Sequence, residues 1–204
     1  MKKIYKYGIL VITFAFLGYN SVYFKKLSEI QSQDKVEIDY NAYADSLYYK
    51  GMFESNHAVE LSDLLSAIRS DPEHAFTEFG NRLGIGNSAY FLVKCQGTIS
   101  AMHSDGFQIT MVNGEIIDIN TKYIFGNALR DASGLVKLTD FKTNSEFNRV
   151  SEALNTLIRT TILPPVLEQL NNGEPVRIIG AMKLNKKELD NPDLEITPSQ
   201  IIPE

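Results

Sequence analysis

The chain is poor in cysteine, in histidine and, beyond its first 24 residues, in positive charge. Each scarcity removes a class of chemistry. A single cysteine, Cys95, forms no intrachain disulfide and supplies no multi-cysteine metal site within one chain. His57 and His74 are solitary, without ligand spacing, and read as structural or solvated side chains. His103 follows Cys95 by eight residues; a thiol–imidazole pair is geometrically open there, but nothing else in the sequence supports it. The 24 residues before Lys25 hold three lysines and no acid, so the remainder carries 17 basic against 25 acidic residues, a net charge of −8. Affinity for nucleic acid comes largely from Lys and Arg neutralising phosphates, so this body argues against a nucleic-acid partner. No Ser-His-Asp arrangement, zinc-protease helix or phosphate-binding loop occurs, and no internal repeat stands out. The sequence nominates no catalytic residue, no metal ligand and no cofactor, and the expectation is a non-enzymatic protein.

What is present begins at the N-terminus. Lys2, Lys3 and Lys6 precede an apolar run from Gly8 to Gly18, which continues through Tyr19, Val22, Tyr23 and Phe24 before Lys25 and Lys26. The 17 residues from Gly8 to Phe24 are at the short limit for a spanning helix, and a basic start with an apolar core is also the pattern of a secretory signal. Gly18-Tyr19-Asn20 is a poor cleavage site. The aromatics followed by two lysines resemble an interfacial belt with snorkelling cations. Residues 1–24 are therefore expected to be a retained signal-anchor in the cell membrane, single-pass, with the body on the extracytoplasmic side. Residues 25–39 read as a polar stalk.

Residues 40–86 carry helical spacing. Tyr43, Leu47 and Tyr48 lie on one face, Leu61, Leu64, Leu65 and Ile68 on another, and Asp71-Pro72 is a strong helix start. The tyrosines at 40, 43, 48 and 49 read as packing rather than as a ligand-stacking surface. Residues 87–204 turn to strand patterning: Ala89–Ile99 with a bend at Gly97, Gly106–Val112, then Asn113-Gly114 as a hairpin turn, and Glu115–Phe125. A Thr143-x-x-Glu146 capping box opens an amphipathic helix that Pro164-Pro165 must break. Strands return at Pro175–Leu184 and Leu194–Ile202, the last interrupted by Pro198 and hence expected at an edge. The fold class is α+β: a small helical domain, then a five-stranded barrel with a helix between strands 3 and 4. That is the element order of the oligonucleotide/oligosaccharide-binding (OB) fold.

Between the third strand and the helix lies Gly126–Phe141, GNALRDASGLVKLTDF. Asn127, Arg130, Asp131 and Ser133 are the candidate ligand- or partner-binding residues. A guanidinium fork holds carboxylate or phosphate bidentately, and the neighbouring oxygens suit hydroxyls. The competing reading is structural: a turn built by Asp131, with Arg130 pinning the loop to an acidic neighbour or a carbonyl. As neighbours on an extended chain, Arg130 and Asp131 would face opposite sides. Under the binding reading, Arg130→Ala loses capture and keeps the fold.

The run Gly126–Gly134 with Asp140-Phe141, Tyr23-Phe24-Lys25-Lys26-Leu27 after the apolar run, Tyr43-Ala44-Asp45, Leu154-Asn155 and Gly180-Ala181 resemble the predicted periplasmic lipoproteins of the domain of unknown function 2291 family. The resemblance implies an envelope location, a helical unit joined to an OB-like domain, and genes that in many bacteria stand beside sugar-uptake ABC transporters. The expected role is thus a membrane-anchored accessory or binding protein whose partners include transporter components. The alternative is a module that binds or processes a saccharide or an anionic small molecule at the Arg130-Asp131 loop. One departure stands out: no cysteine follows the apolar run, so the lipid-attachment residue of a lipoprotein is missing there.

Overall fold

The computed structural model describes residues 38–53, 57–82, 84, 86–190 and 192–204, with Tyr5, Tyr7, Gly8, Phe14 and Phe16 near the N-terminus. Apart from those five residues and from Ile38 and Asp39, the anticipated membrane anchor and stalk lie outside the described residues. Among the described residues no helix is long and apolar enough to cross a membrane.

Residues Asp39–Glu204 form one compact unit. Helix α1 (Tyr40–Ser46) starts at Asp39, whose Oδ1 accepts from the amides of Asn41 and Ala42 at 3.0 Å each. It continues through Gly51 as a π-helical turn over Leu47–Phe53. A two-residue strand β1 (Val59–Glu60) leads into α2 (Leu61–Ser70) and α3 (Pro72–Glu78). Asp71 caps α3 as its sequence requires, accepting from the His74 amide at 3.0 Å.

Strands β2 (Ser88–His103), β3 (Gly106–Met111), β4 (Ile116–Asn120), β5 (Pro175–Asn185) and β6 (Glu195–Pro203) close into a barrel in the order β2-β3-β4-β6-β5, with β5 returning to β2. All pairings within the barrel are antiparallel except β4–β6. Strand β2 pairs β5 along Ser88–Thr98 and β3 along Gly97–His103, so Gly97 sits where the strand passes from one neighbour to the other. The 16-residue strand thereby serves two sides of the barrel.

Three local expectations are corrected. The third strand ends at Asn120 instead of running to Phe125, because Asn120 Oδ1 accepts from the Tyr123 amide at 2.9 Å and turns the chain. At Asn113-Gly114 only the glycine has positive φ (+84°), and its amide bonds Met111 O at 2.9 Å. The connection is thus longer than a two-residue turn. Strand β6 is no edge: it lies between β4 and β5. Pro198 is accommodated by an irregularity in the β5–β6 register beside Gly180, and β4 pairs β6 only at Glu195 and Ile196, so no ladder bond is demanded of the proline nitrogen.

Alternation along the strands fills the barrel with Phe107, Ile109, Ile117, Ile119, Ile178 and Ile196, all essentially without exposure. The stretch expected as an extended chain and a turn at Asp131 is instead helix α4 (Ala128–Ser133), followed by a single 3-10 turn at Leu138–Asp140. Helix α5 (Asn144–Leu157) starts at the capping box: Thr143 Oγ1 accepts from the Glu146 amide at 3.2 Å, and Glu146 Oε2 accepts from the Thr143 amide at 3.2 Å. A π-helical turn, Ile158–Ile162, then loosens it before Pro164 opens the short α6 (Pro164–Leu167). Helix α4 packs on β2 and β5, while α5 packs on α1 and α4. Six-residue α4 is therefore the layer between barrel and outer helices, which explains why all of Leu129–Ser133 is buried.

Candidate functional site

A helix of six residues placed between two layers must satisfy its own polar groups, and α4 does so with its side chains. Arg130 is 2% exposed and Asp131 6% exposed. Being helical neighbours, and not extended ones, they meet. Arg130 Nε donates to Asp131 Oδ1 at 2.8 Å and Nη2 to the same oxygen at 2.7 Å. Nη1 donates to Phe147 O at 3.1 Å and to Asn148 Oδ1 at 3.4 Å, and the guanidinium carbon stands 3.5 Å above the centre of the Phe147 ring. The second Asp131 oxygen accepts from Asn127 Nδ2, and Asn127 Oδ1 accepts from Tyr90 Oη at 3.4 Å. The arrangement ties α4 to α5 and to β2. A buried pair of this kind is tolerated only when its remaining donors and acceptors are also satisfied.

Ser133 closes the helix: its hydroxyl donates to Arg130 O at 2.6 Å and accepts from the Leu135 amide at 3.3 Å. Gly134 follows in the left-handed region (φ +66°) against Asn81, whose Nδ2 donates to Ala132 O at 3.0 Å. Ser133 lines a smaller cavity of about 290 Å³ with His57 and Asn81.

The larger cavity, about 500 Å³, is a cleft between the Phe125–Asn127 segment and one face of α5. That volume is in the range of small-molecule sites. Helix α5 and the π-helical turn that extends it carry two stripes. Phe147, Val150, Leu154 and Ile158 are buried in the core. Asn148, Ser151, Glu152, Asn155, Thr156 and Arg159, at helical spacing, form the cleft wall. Asn155 Nδ2 donates to Gly126 O at 2.8 Å and holds the two walls together. At the rim the Arg159 guanidinium lies 4.6 Å over the Phe125 ring, and its Nη1 donates to Ile124 O at 3.3 Å. Phe125 is 61% exposed. At the floor, Ser151 is 5% exposed and its hydroxyl has no hydrogen-bond partner. An orphaned buried hydroxyl costs about 1–3 kcal/mol.

Of the four residues proposed from sequence, Asn127 and Arg130 line this cleft, Asp131 stands behind Arg130, and Ser133 opens onto the other side of α4. The polar stripe of α5 was missed. Its signal was available as small polar residues, Ser151 and Asn155, embedded between apolar positions of an amphipathic helix.

Outside the cleft, Tyr48 is buried and donates to Ser199 O at 3.2 Å, and Tyr43 packs edge-on against Phe141 at 5.8 Å. Burial, reinforced by Tyr49, pushes the Tyr48 hydroxyl up to about 12. Burial and, less strongly, Glu60 push the Cys95 thiol up to about 12, so it stays protonated and poorly nucleophilic. His103 Nε2 faces Asp118 at 3.3 Å.

The barrel recurs in a solved structure, an OB-fold protein from Thermotoga maritima MSB8. It is 25% identical, with a TM-score of 0.71 over 82% of this chain and 99% of that one. No curated protein matches the chain at a significant level. The family model described as predicted periplasmic lipoprotein (DUF2291) matches residues 12–202, and the chain belongs to that family of extracytoplasmic proteins of unknown function.

Proposed function

We propose that this is a non-enzymatic binding protein that takes a small polar molecule into the cleft between α5 and Phe125–Asn127. The observation that carries this reading is the unpartnered buried hydroxyl of Ser151, a residue lining a cavity walled mostly by hydrogen-bonding side chains. A buried polar group without a partner is rare in a folded chain, and a bound group reaching the floor supplies the missing one. The Arg130–Asp131 tie fixes α4 against α5, so the site is formed before the ligand arrives, which lowers the ordering cost of binding. Among the described residues the cleft wall holds one carboxylate, Glu152, and neither histidine nor thiol. No acid–base pair therefore faces a bound molecule, which supports binding over catalysis. In this reading the N-terminal apolar run keeps the body at the membrane, and the captured solute is passed to uptake components there. The resemblance to proteins encoded beside sugar-uptake ABC transporters supplies that setting.

Native mass spectrometry of the protein incubated with an envelope small-molecule extract tests the reading. Wild type is expected to retain an adduct that Thr156→Trp, which fills the cleft from an exposed position, does not. Equal adducts on both proteins, or none on either, would remove the cleft from the account.

A further inference from the structure

We infer that the cleft selects an uncharged, multiply hydroxylated small molecule over an anion or a cation; this rests on the reading that the cleft binds a ligand at all. Charge is the first argument. Arg130 is the buried cation of the wall, yet Asp131 neutralises it and its Nη1 is engaged by Phe147 O and Asn148. It offers a bound phosphate or carboxylate no free fork. Arg159 and Glu152 are the only other charged groups of the wall. They lie seven residues apart, Glu152 on α5 and Arg159 in the π-helical turn that follows it. Neither forms an ion pair among the described residues, and their charges sum to zero. The site as a whole carries no net charge, so a bound ion meets the opposing charge as well as its counter-charge and gains little to offset its lost hydration.

Hydrogen-bonding capacity is the second argument. The buried Ser151 hydroxyl, Asn155 Oδ1 and, at the exposed rim, Asn148 Nδ2 and the Thr156 hydroxyl have no hydrogen-bond partner among the described residues. These are donors, acceptors and groups that do both, interleaved on one helical face. Hydroxyls are the ligand groups that answer such a mixture, because each donates once and accepts twice. An anion satisfies only the donors and an ammonium only the acceptors. The third argument is Phe125, an exposed ring at the rim that offers an apolar surface to the carbon face of a polyol ring.

Isothermal titration of the full chain with D-glucose, D-xylose and myo-inositol, beside glucose 6-phosphate, glucuronate and glucosamine, tests the selectivity. At least one uncharged probe is expected to bind at least tenfold more tightly than any charged one. Thr156→Trp is expected to abolish that binding. Raising salt from about 0.05 to 0.5 M is expected to change its Kd by less than about twofold, since screening acts on charges. Glu152→Gln, which leaves the cleft net positive, should narrow the gap to glucose 6-phosphate, and Arg159→Gln should narrow it to glucosamine. A charged probe that binds wild type best, and is lost in Thr156→Trp, overturns the selectivity and leaves the cleft reading standing. An envelope-extract adduct on a protein that binds none of the uncharged probes overturns it equally. Absence of both adduct and probe binding overturns the two together.

Discussion

Replacing Arg130 by alanine strips one partner from a pair that is almost wholly out of solvent. Asp131 is left with only Asn127 against a buried carboxylate, Phe147 loses the cation over its ring, and Phe147 O loses a donor. Breaking a buried pair from one side costs about 3–5 kcal/mol. A domain of this size is stable by about 5–15 kcal/mol in total, so the variant folds with little margin or not at all. At about 2–4 °C per kcal/mol for 150–250 residues, the expected fall in Tm is roughly 6–20 °C. Urea unfolding followed by circular dichroism and by tyrosine fluorescence gives the free energy and tests two-state behaviour. The double variant Arg130→Met with Asp131→Leu leaves no uncompensated charge. It is expected to recover most of the loss, with a coupling of about 2 kcal/mol or more relative to the two single changes. A loss below about 1 kcal/mol for Arg130→Ala, or strict additivity in the double variant, would refute the claim that this pair holds α4 in place.

Two other predictions concern single side chains. Ser151→Ala removes an unsatisfied buried hydroxyl, so the unliganded protein should unfold at the same temperature or higher, by about 1 kcal/mol of stability, while ligand affinity falls; a clear thermal destabilisation would mean that the hydroxyl is partnered after all. Cys95 and Tyr48 keep their protons up to about pH 12 in the folded chain and release them earlier when unfolded. Stability is therefore expected to hold below about pH 9 and to fall as pH rises from there to about 12, read from urea midpoints, with Cys95 slow to react with iodoacetamide at pH 8 until the chain is unfolded. A flat alkaline profile together with rapid native labelling would contradict the burial argument.

The barrel was legible in the sequence because its information is local and periodic. Alternation in Gly106–Met111 and Pro175–Asn185, the Thr143 capping box and the Asp71-Pro72 start each specify an element without reference to distant residues. Helix α4 was not legible in that way. Six residues are less than two turns, too few to show a 3.6-residue period, and Asp131, Ser133 and Gly134 read as turn formers on their own. Only packing between barrel and α5 makes the segment helical, and with that change Arg130 and Asp131 turn from diverging neighbours into a bonded pair. Pro198 misled for a related reason: a proline marks an edge only if every position of the strand is paired on both sides, and β6 meets β4 at just two residues. The cleft was half legible. Asn127 and Arg130 stood out by residue type, whereas its α5 wall was hidden by the stronger apolar stripe of the same helix.

The central claim is that a small molecule is held between Phe125–Asn127 and the polar stripe of α5. Amide-detected NMR of the labelled protein during titration with the best uncharged probe tests it most directly. The account predicts saturable shifts in the side-chain amides of Asn127, Asn148 and Asn155 and in the backbone of Gly126 and Ser151, with the β3–β4 face of the barrel unmoved. Shifts centred on β3 and β4, with Ser151 and Asn155 unchanged at saturation, would contradict it.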